Sequence, residues 1–111
     1  TPGVVLFVKS STIGRGDDEL GRVLITGFIN TISSHETPPK KIFFVNSGVT
    51  LTAEGSDVID ALVKLADSGV EIFSCGTCLD FYGLKEKLAV GKVGNMYELV
   101  DTLINEKVIY I

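Results

Sequence analysis

Cysteine and histidine are scarce in this chain, and the shortage removes whole classes of protein. Among 111 residues there are two cysteines and one histidine. A secreted disulfide scaffold needs more cysteines at longer range, so Cys75 and Cys78 read instead as a reactive pair in a reducing compartment. A structural zinc ion needs four ligands. Beyond the pair only His35 is available, which leaves an intrachain site short of ligands and only one shared between subunits open. No metal and no cofactor are expected. Basic residues are also few, ten Lys and Arg against fourteen Asp and Glu, for a net charge of -4. The single adjacent pair, Lys40-Lys41, cannot make the stripe that tracks phosphates, so nucleic acid is not an expected partner. Long apolar runs are missing too. No window approaches the roughly eighteen residues of a membrane span, and Thr1-Pro2-Gly3 lacks the basic start and apolar core of a signal peptide. A cytoplasmic protein without a membrane partner is the expectation. The absence of an initiating Met suggests a chain that begins after processing or inside a longer gene product.

What is present is apolar and strongly patterned. Hydrophobic residues make up 45% of the chain, with mean hydropathy +0.36, and 111 residues are long enough to bury one core and too short for two domains. Val4 to Val8 and Ile42 to Val45 are continuous β-branched and aromatic runs, the mark of strands buried on both faces. Val70 to Ser74 reads as a third strand, a fourth lies within Leu88 to Val93, and Val108 to Ile111 forms the fifth. Between them, Leu20, Val23, Leu24, Phe28 and Ile32 recur at helical spacing and predict a helix over Asp18 to Ser34. Ser56 is the predicted N-cap of a second helix, whose apolar face is Val58, Ile59, Leu62, Val63 and Leu65 and which ends at Gly69. Asn95 to Glu98 forms a capping box for the last, lined by Leu99, Val100, Leu103 and Ile104. Strands alternating with helices predict a single domain over 1–111, a three-layer α/β/α sandwich on a mostly parallel five-stranded sheet. Ligands of such sheets bind beyond the carboxyl ends of the strands, so loops 9–17, 46–56 and 75–83 should converge there.

Cys75-Gly76-Thr77-Cys78 lies at that edge, where the third strand ends and a helical turn is predicted from Leu79. The thiolate is the reactive form of cysteine, and near pKa 8.5 it is a minor species at neutral pH. A helix start offers unpaired N–H groups and a positive dipole end, and Gly76 permits close backbone approach, which places Cys75 well to ionise. Cys78 is then spaced to attack a persulfide or disulfide formed on Cys75. Thr77 lies between the two thiols as a candidate binding residue with Gly76, and Tyr82 and Phe81 are candidates to wall a thiol pocket. The loop Ser10 to Asp17 lacks the P-loop lysine and the third glycine of GxGxxG, making it a weak nucleotide site. Ser11 and Arg15 from this loop, with Asn46, Ser47 and Thr50, are candidate binding residues near the thiols, Arg15 as a cation favouring an anion. No Ser/His/Asp or paired-carboxylate arrangement can be assembled.

At Cys75 to Gly83 (CGTCLDFYG) the sequence resembles the DsrE/F-like sulfur-relay family, with Cys75 at the nucleophile position and a glycine eight residues later. Residues 74–99, with the opening VVLFVKSSTIGRGDDELG and the middle FFVNSGVTLT, are similar to the C-terminal domain of YedF-type proteins, sulfurtransferase-like and linked to selenium metabolism. The resemblance implies the three-layer fold and a carrier that passes a persulfide or selenopersulfide between donor and acceptor proteins. It also implies a homo-oligomer, trimeric or hexameric, and an N-terminal TusA-like domain in the parent protein. Sulfur-relay relatives often carry Arg immediately before the glycine, where this chain has Tyr82.

Two other classes remain open. A thioredoxin-like dithiol oxidoreductase would use the same CxxC spacing, usually with a proline opposite the motif. A non-catalytic oligomeric binding module would have dispensable thiols.

Overall fold

A computed structural model describes residues 3–111. The strands are β1 (Val5–Val8), β2 (Lys41–Phe44), β3 (Glu71–Cys75), β4 (Lys92–Gly94) and β5 (Val108–Tyr110), and the helices are α1 (Asp18–Ser34), α2 (Ile59–Asp67), α3 (Gly76–Phe81) and α4 (Met96–Asn105). The sheet order is β4-β3-β2-β1-β5, and every pairing is parallel. The chain therefore builds the sheet outward from β1 in one direction through β4, then crosses back to lay β5 on the other side of β1. Parallel neighbours need crossover connections, which is why α1, α2 and α4 join the strands.

In β1 and β2, alternate side chains serve opposite faces. Leu6, Val8, Ile42 and Phe44, with Ile72 of β3, join Ile25 and Ile29 of α1 and Leu62 and Leu65 of α2 in one buried cluster. Each such side chain contributes about 1.5–3 kcal/mol by leaving water. On the other face Val5 and Phe43 are buried, Phe43 stacks on Phe73 at 5.6 Å, and Lys41 Nζ donates to Thr102 Oγ1 of α4 at 3.5 Å. The result is a sheet between two helical layers, as the βαβ pattern requires.

Four expectations are corrected. The core side of α1 is Gly21, Ile25 and Ile29, with Phe28 and Ile32 of the predicted set packed beside them, while Leu20, Val23 and Leu24 are exposed. The helix carries two apolar stripes, and spacing alone does not say which meets the sheet. Ser56 does not cap α2. Its Oγ accepts from the Val58 N–H, and the helix starts at Ile59 without a side-chain cap. Within 88–94 the strand is Lys92–Gly94; Leu88 instead makes an isolated antiparallel bridge to Ala53. On α4, Leu99 is buried but Val100 and Ile104 are exposed. The capping box of α4 is present, with Asn95 Oδ1 accepting from the Glu98 N–H at 2.8 Å.

Candidate functional site

The parallel strands all end at one edge, and that edge gathers most of the candidate residues. After β2 the chain forms a 3₁₀ segment, Asn46–Thr52, and after β3 it enters α3 without an intervening loop. Cys75 is the last residue of β3 and occupies the N-cap position of α3, paired in register with Gly94 of β4. Helix α3 thus begins at Gly76, three residues earlier than the helical turn predicted from Leu79, so Cys78 lies in its first turn and faces back over the strand end. Gly76 is a close fit here, since a Cβ would come within 3.1 Å of Val93 Cγ1.

The strand end is held by a buried polar pair. Ser74 and Thr52, both fully buried, share a hydroxyl contact of 2.7 Å, and Thr52 Oγ1 also donates to the Val49 carbonyl at 3.0 Å. This ties the 3₁₀ segment to β3 one residue before Cys75. A second tie joins the 3₁₀ segment to the loop after β1, where the Ser11 N–H donates to Ser47 Oγ at 3.0 Å.

Cys75 is buried, with 5% of its surface exposed, and Cys78 is partly buried. Cys78 opens into a pocket of about 270 Å³ lined by Asn46, Thr77, Phe81 and Tyr82. The Asn46 N–H donates to Cys78 Sγ at 3.1 Å, and the Tyr82 hydroxyl donates to Asn46 Oδ1 at 3.4 Å. Burial pushes the Cys78 thiol above the ordinary cysteine range, its contact with Cys75 adds to that, and the Asn46 N–H opposes it.

The structure brings together Cys75, Gly76, Thr77, Cys78, Asn46 and Tyr82, with Ser47 one hydrogen bond behind and Ser11 bonded to Ser47 in turn. It does not bring Arg15, which is exposed and, among the described residues, makes no ion pair or side-chain hydrogen bond. Thr50 turns inward, donating to the Ser47 carbonyl at 2.7 Å. His35 follows α1 and accepts from the Thr37 N–H at 3.0 Å. Among the described residues, no three His, Cys, Asp or Glu side chains cluster as metal ligands. Sequence reasoning missed Ser74 and Thr52, because a lone hydroxyl, in an apolar strand or in the segment after one, carries no signal of its distant partner.

A parallel α/β sheet with a CxxC motif at its carboxyl edge and a small pocket beside it defines the class: an α/β protein with two thiols at the ligand-binding edge of its sheet. Residues 17–110 match the model of the DsrE/DsrF-like family, and the chain belongs to that family, which is generally linked to sulfur relay. The fold is similar to that of the ychN protein from E. coli, with a TM-score of 0.67, 20% identity and all of both chains covered. It is likewise similar to MTH1491 from Methanobacterium thermoautotrophicum, a protein of unknown function, with a TM-score of 0.71, 19% identity and full coverage of both chains. BT1422 from Bacteroides thetaiotaomicron, also of unknown function, has a TM-score of 0.67 at 16% identity over 98% of this chain and 95% of its own. No curated protein matches. At these identities the structural likenesses speak for the fold alone.

Proposed function

We propose that this protein carries sulfur or selenium as a persulfide or selenopersulfide on Cys75, with Cys78 assisting release. The observation that carries the reading is the placement of the two thiols at the carboxyl edge of the sheet, Cys75 ending β3 and Cys78 in the first turn of α3, with Cys78 opening into a small pocket. In loading, the Cys75 thiolate attacks the outer sulfur of a donor persulfide, and the donor leaves as its thiolate. In direct transfer an acceptor thiolate attacks the outer sulfur held on Cys75, and Cys75 leaves. The reaction is completed by protein partners on both sides, in keeping with the relay habit of the family. The YedF-type kinship and the selenium role belong to this same proposal. No helix among the described residues is long and apolar enough to cross a membrane, and a cytoplasmic site of action is part of the reading.

Assembly into a homo-oligomer is also proposed. Leu20, Val23 and Leu24 on α1 and Met96, Val100 and Ile104 on α4 are exposed apolar residues that a monomer gains nothing by displaying. A thioredoxin-like oxidoreductase is less well supported, because Pro38 and Pro39 precede β2 and so lie at the opposite end of the sheet from the thiols.

The test is intact-mass spectrometry after incubation with a cysteine desulfurase and cysteine. Wild type and Cys78→Ser should gain one reducible sulfur, and Cys75→Ser should gain none. Native mass spectrometry of the same samples reads the oligomer. An absence of any adduct, with both thiols slow to alkylate, would favour the non-catalytic binding module.

A further inference from the structure

We propose that Asn46 is a positioning residue, its backbone N–H holding the Cys78 sulfur as an anion during release and its left-handed backbone aiming that N–H. The inference rests on the carrier reading for its biological meaning, but its geometry stands apart from it. Among the described residues Asn46 is the one non-glycine with positive φ, at 53°. Val45 before it is fully extended, and the 3₁₀ segment begins with Asn46 itself, so the sharp reversal is concentrated in this residue. Its N–H stands at the start of a helical segment, where backbone donors lack backbone acceptors, and it goes to Cys78 Sγ. Asparagine is the side chain that tolerates this conformation best after glycine. Its Oδ1 accepts from the Ser47 N–H at 2.8 Å and from the hydroxyl of Tyr82, the residue just after α3, so the side chain is occupied elsewhere and it is the backbone N–H that meets the sulfur.

The surroundings give this donor its weight. The titratable groups facing Cys78 are Cys75 and Tyr82, both on or next to α3; the 3₁₀ segment contributes only the neutral Asn46, and no Lys, Arg, Asp or Glu lines the pocket. Burial and Cys75 both oppose a charge on Cys78, and the Asn46 N–H favours one. In the release step the Cys78 thiolate attacks the inner sulfur of the Cys75 persulfide. The bond between Cys75 and its outer sulfur breaks, and that sulfur leaves as hydrosulfide with its own proton. The outer sulfur is reduced, the two cysteines are oxidised to a disulfide, and an external dithiol restores them. Cys78 has to be anionic for this step alone, and the Asn46 N–H is the fixed dipole that meets it.

The experiment needs no cargo. In Cys75→Ser, where Cys78 is the remaining thiol, the pH profile of iodoacetamide alkylation is compared across Asn46, Asn46→Gly and Asn46→Ala. Glycine keeps the left-handed backbone and should preserve the profile, whereas alanine disfavours it and should slow alkylation at neutral pH about tenfold, the loss of one charge-assisted hydrogen bond. The amide proton of Asn46, followed by NMR in the same Cys75→Ser protein, should move downfield as Cys78 ionises, a readout independent of any Asn46 variant. A stationary amide, or identical profiles in glycine and alanine variants that both fold, would overturn the proposal. Equal slowing in both variants overturns it too, because the side chain would then be responsible. Failure of persulfide loading in the mass-spectrometric test leaves these outcomes untouched and counts against the carrier reading instead.

Discussion

Replacing Thr52 by valine should destabilise this domain more than replacing its partner Ser74 by alanine, although both changes delete the same hydroxyl contact. Thr52 Oγ1 donates to the Val49 carbonyl, so its oxygen is left to accept the proton of Ser74. Ser74→Ala therefore removes one hydrogen bond and strands nothing, at a cost of about 1 kcal/mol. Thr52→Val leaves the Ser74 hydroxyl fully buried with no acceptor, which adds its desolvation and brings the cost to about 2–3 kcal/mol. With an unfolding entropy of about 2.1 cal/mol/K per residue, 1 kcal/mol corresponds to roughly 4 °C in a chain of this length. Scanning calorimetry should then show Tm losses of about 4 °C for Ser74→Ala and about 8–12 °C for Thr52→Val. The double variant has no orphaned hydroxyl, and should lose less than the two single losses combined, a coupling of about 1 kcal/mol or more. Equal single losses, or strict additivity, would refute this assignment of donor and acceptor.

Two further predictions concern backbone and charge. Gly91 has φ of +82° and a Cβ there would stand 2.5 Å from the Ile72 carbonyl oxygen, so Gly91→Ala should cost about 2–4 kcal/mol in urea unfolding. Gly14, with nearly the same φ but open space around it, should lose only about 1 kcal/mol on the same change; equal losses would show that strain at φ, not the contact, decides. The Lys40 ammonium beside Glu106 holds its carboxyl below the ordinary glutamate range. Because the folded value is the lower one, the small stabilisation from this exposed pair is present above the unfolded pKa and fades as pH falls through the folded value. Lys40→Met should move the Glu106 titration upward by carboxyl-carbon NMR, and an unmoved titration would remove Lys40 as the cause.

Much of the fold was legible because parallel strands buried on both faces need no alternation. VVLFV and IFFV have to be β1 and β2 whichever way they turn, and the capping box at Asn95 marks the start of α4 by local chemistry alone. Helix faces were less legible. Leu20, Val23 and Leu24 compete with Gly21, Ile25 and Ile29 for the core side of α1, and the close approach at Gly21, where a Cβ would lie 2.6 Å from Thr12 Cβ, is a tertiary fact. In the site, Cys75 and Cys78 announce themselves by spacing, and the position of Asn46 and Tyr82 just beyond two strand ends marks them as neighbours. Their roles were not readable, because 32 residues separate Asn46 from the sulfur its N–H meets.

By itself the sequence determined the class of sheet, the order of its elements and the chemistry available at its carboxyl edge, since each follows from local pattern and residue type. Only the tertiary structure decided which thiol is buried and which opens to the pocket, that a left-handed Asn46 aims a dipole at Cys78, and that Arg15 stands apart. Those depend on where crossovers set one strand end against another, and contacts between segments remote in the chain leave no trace in either segment alone.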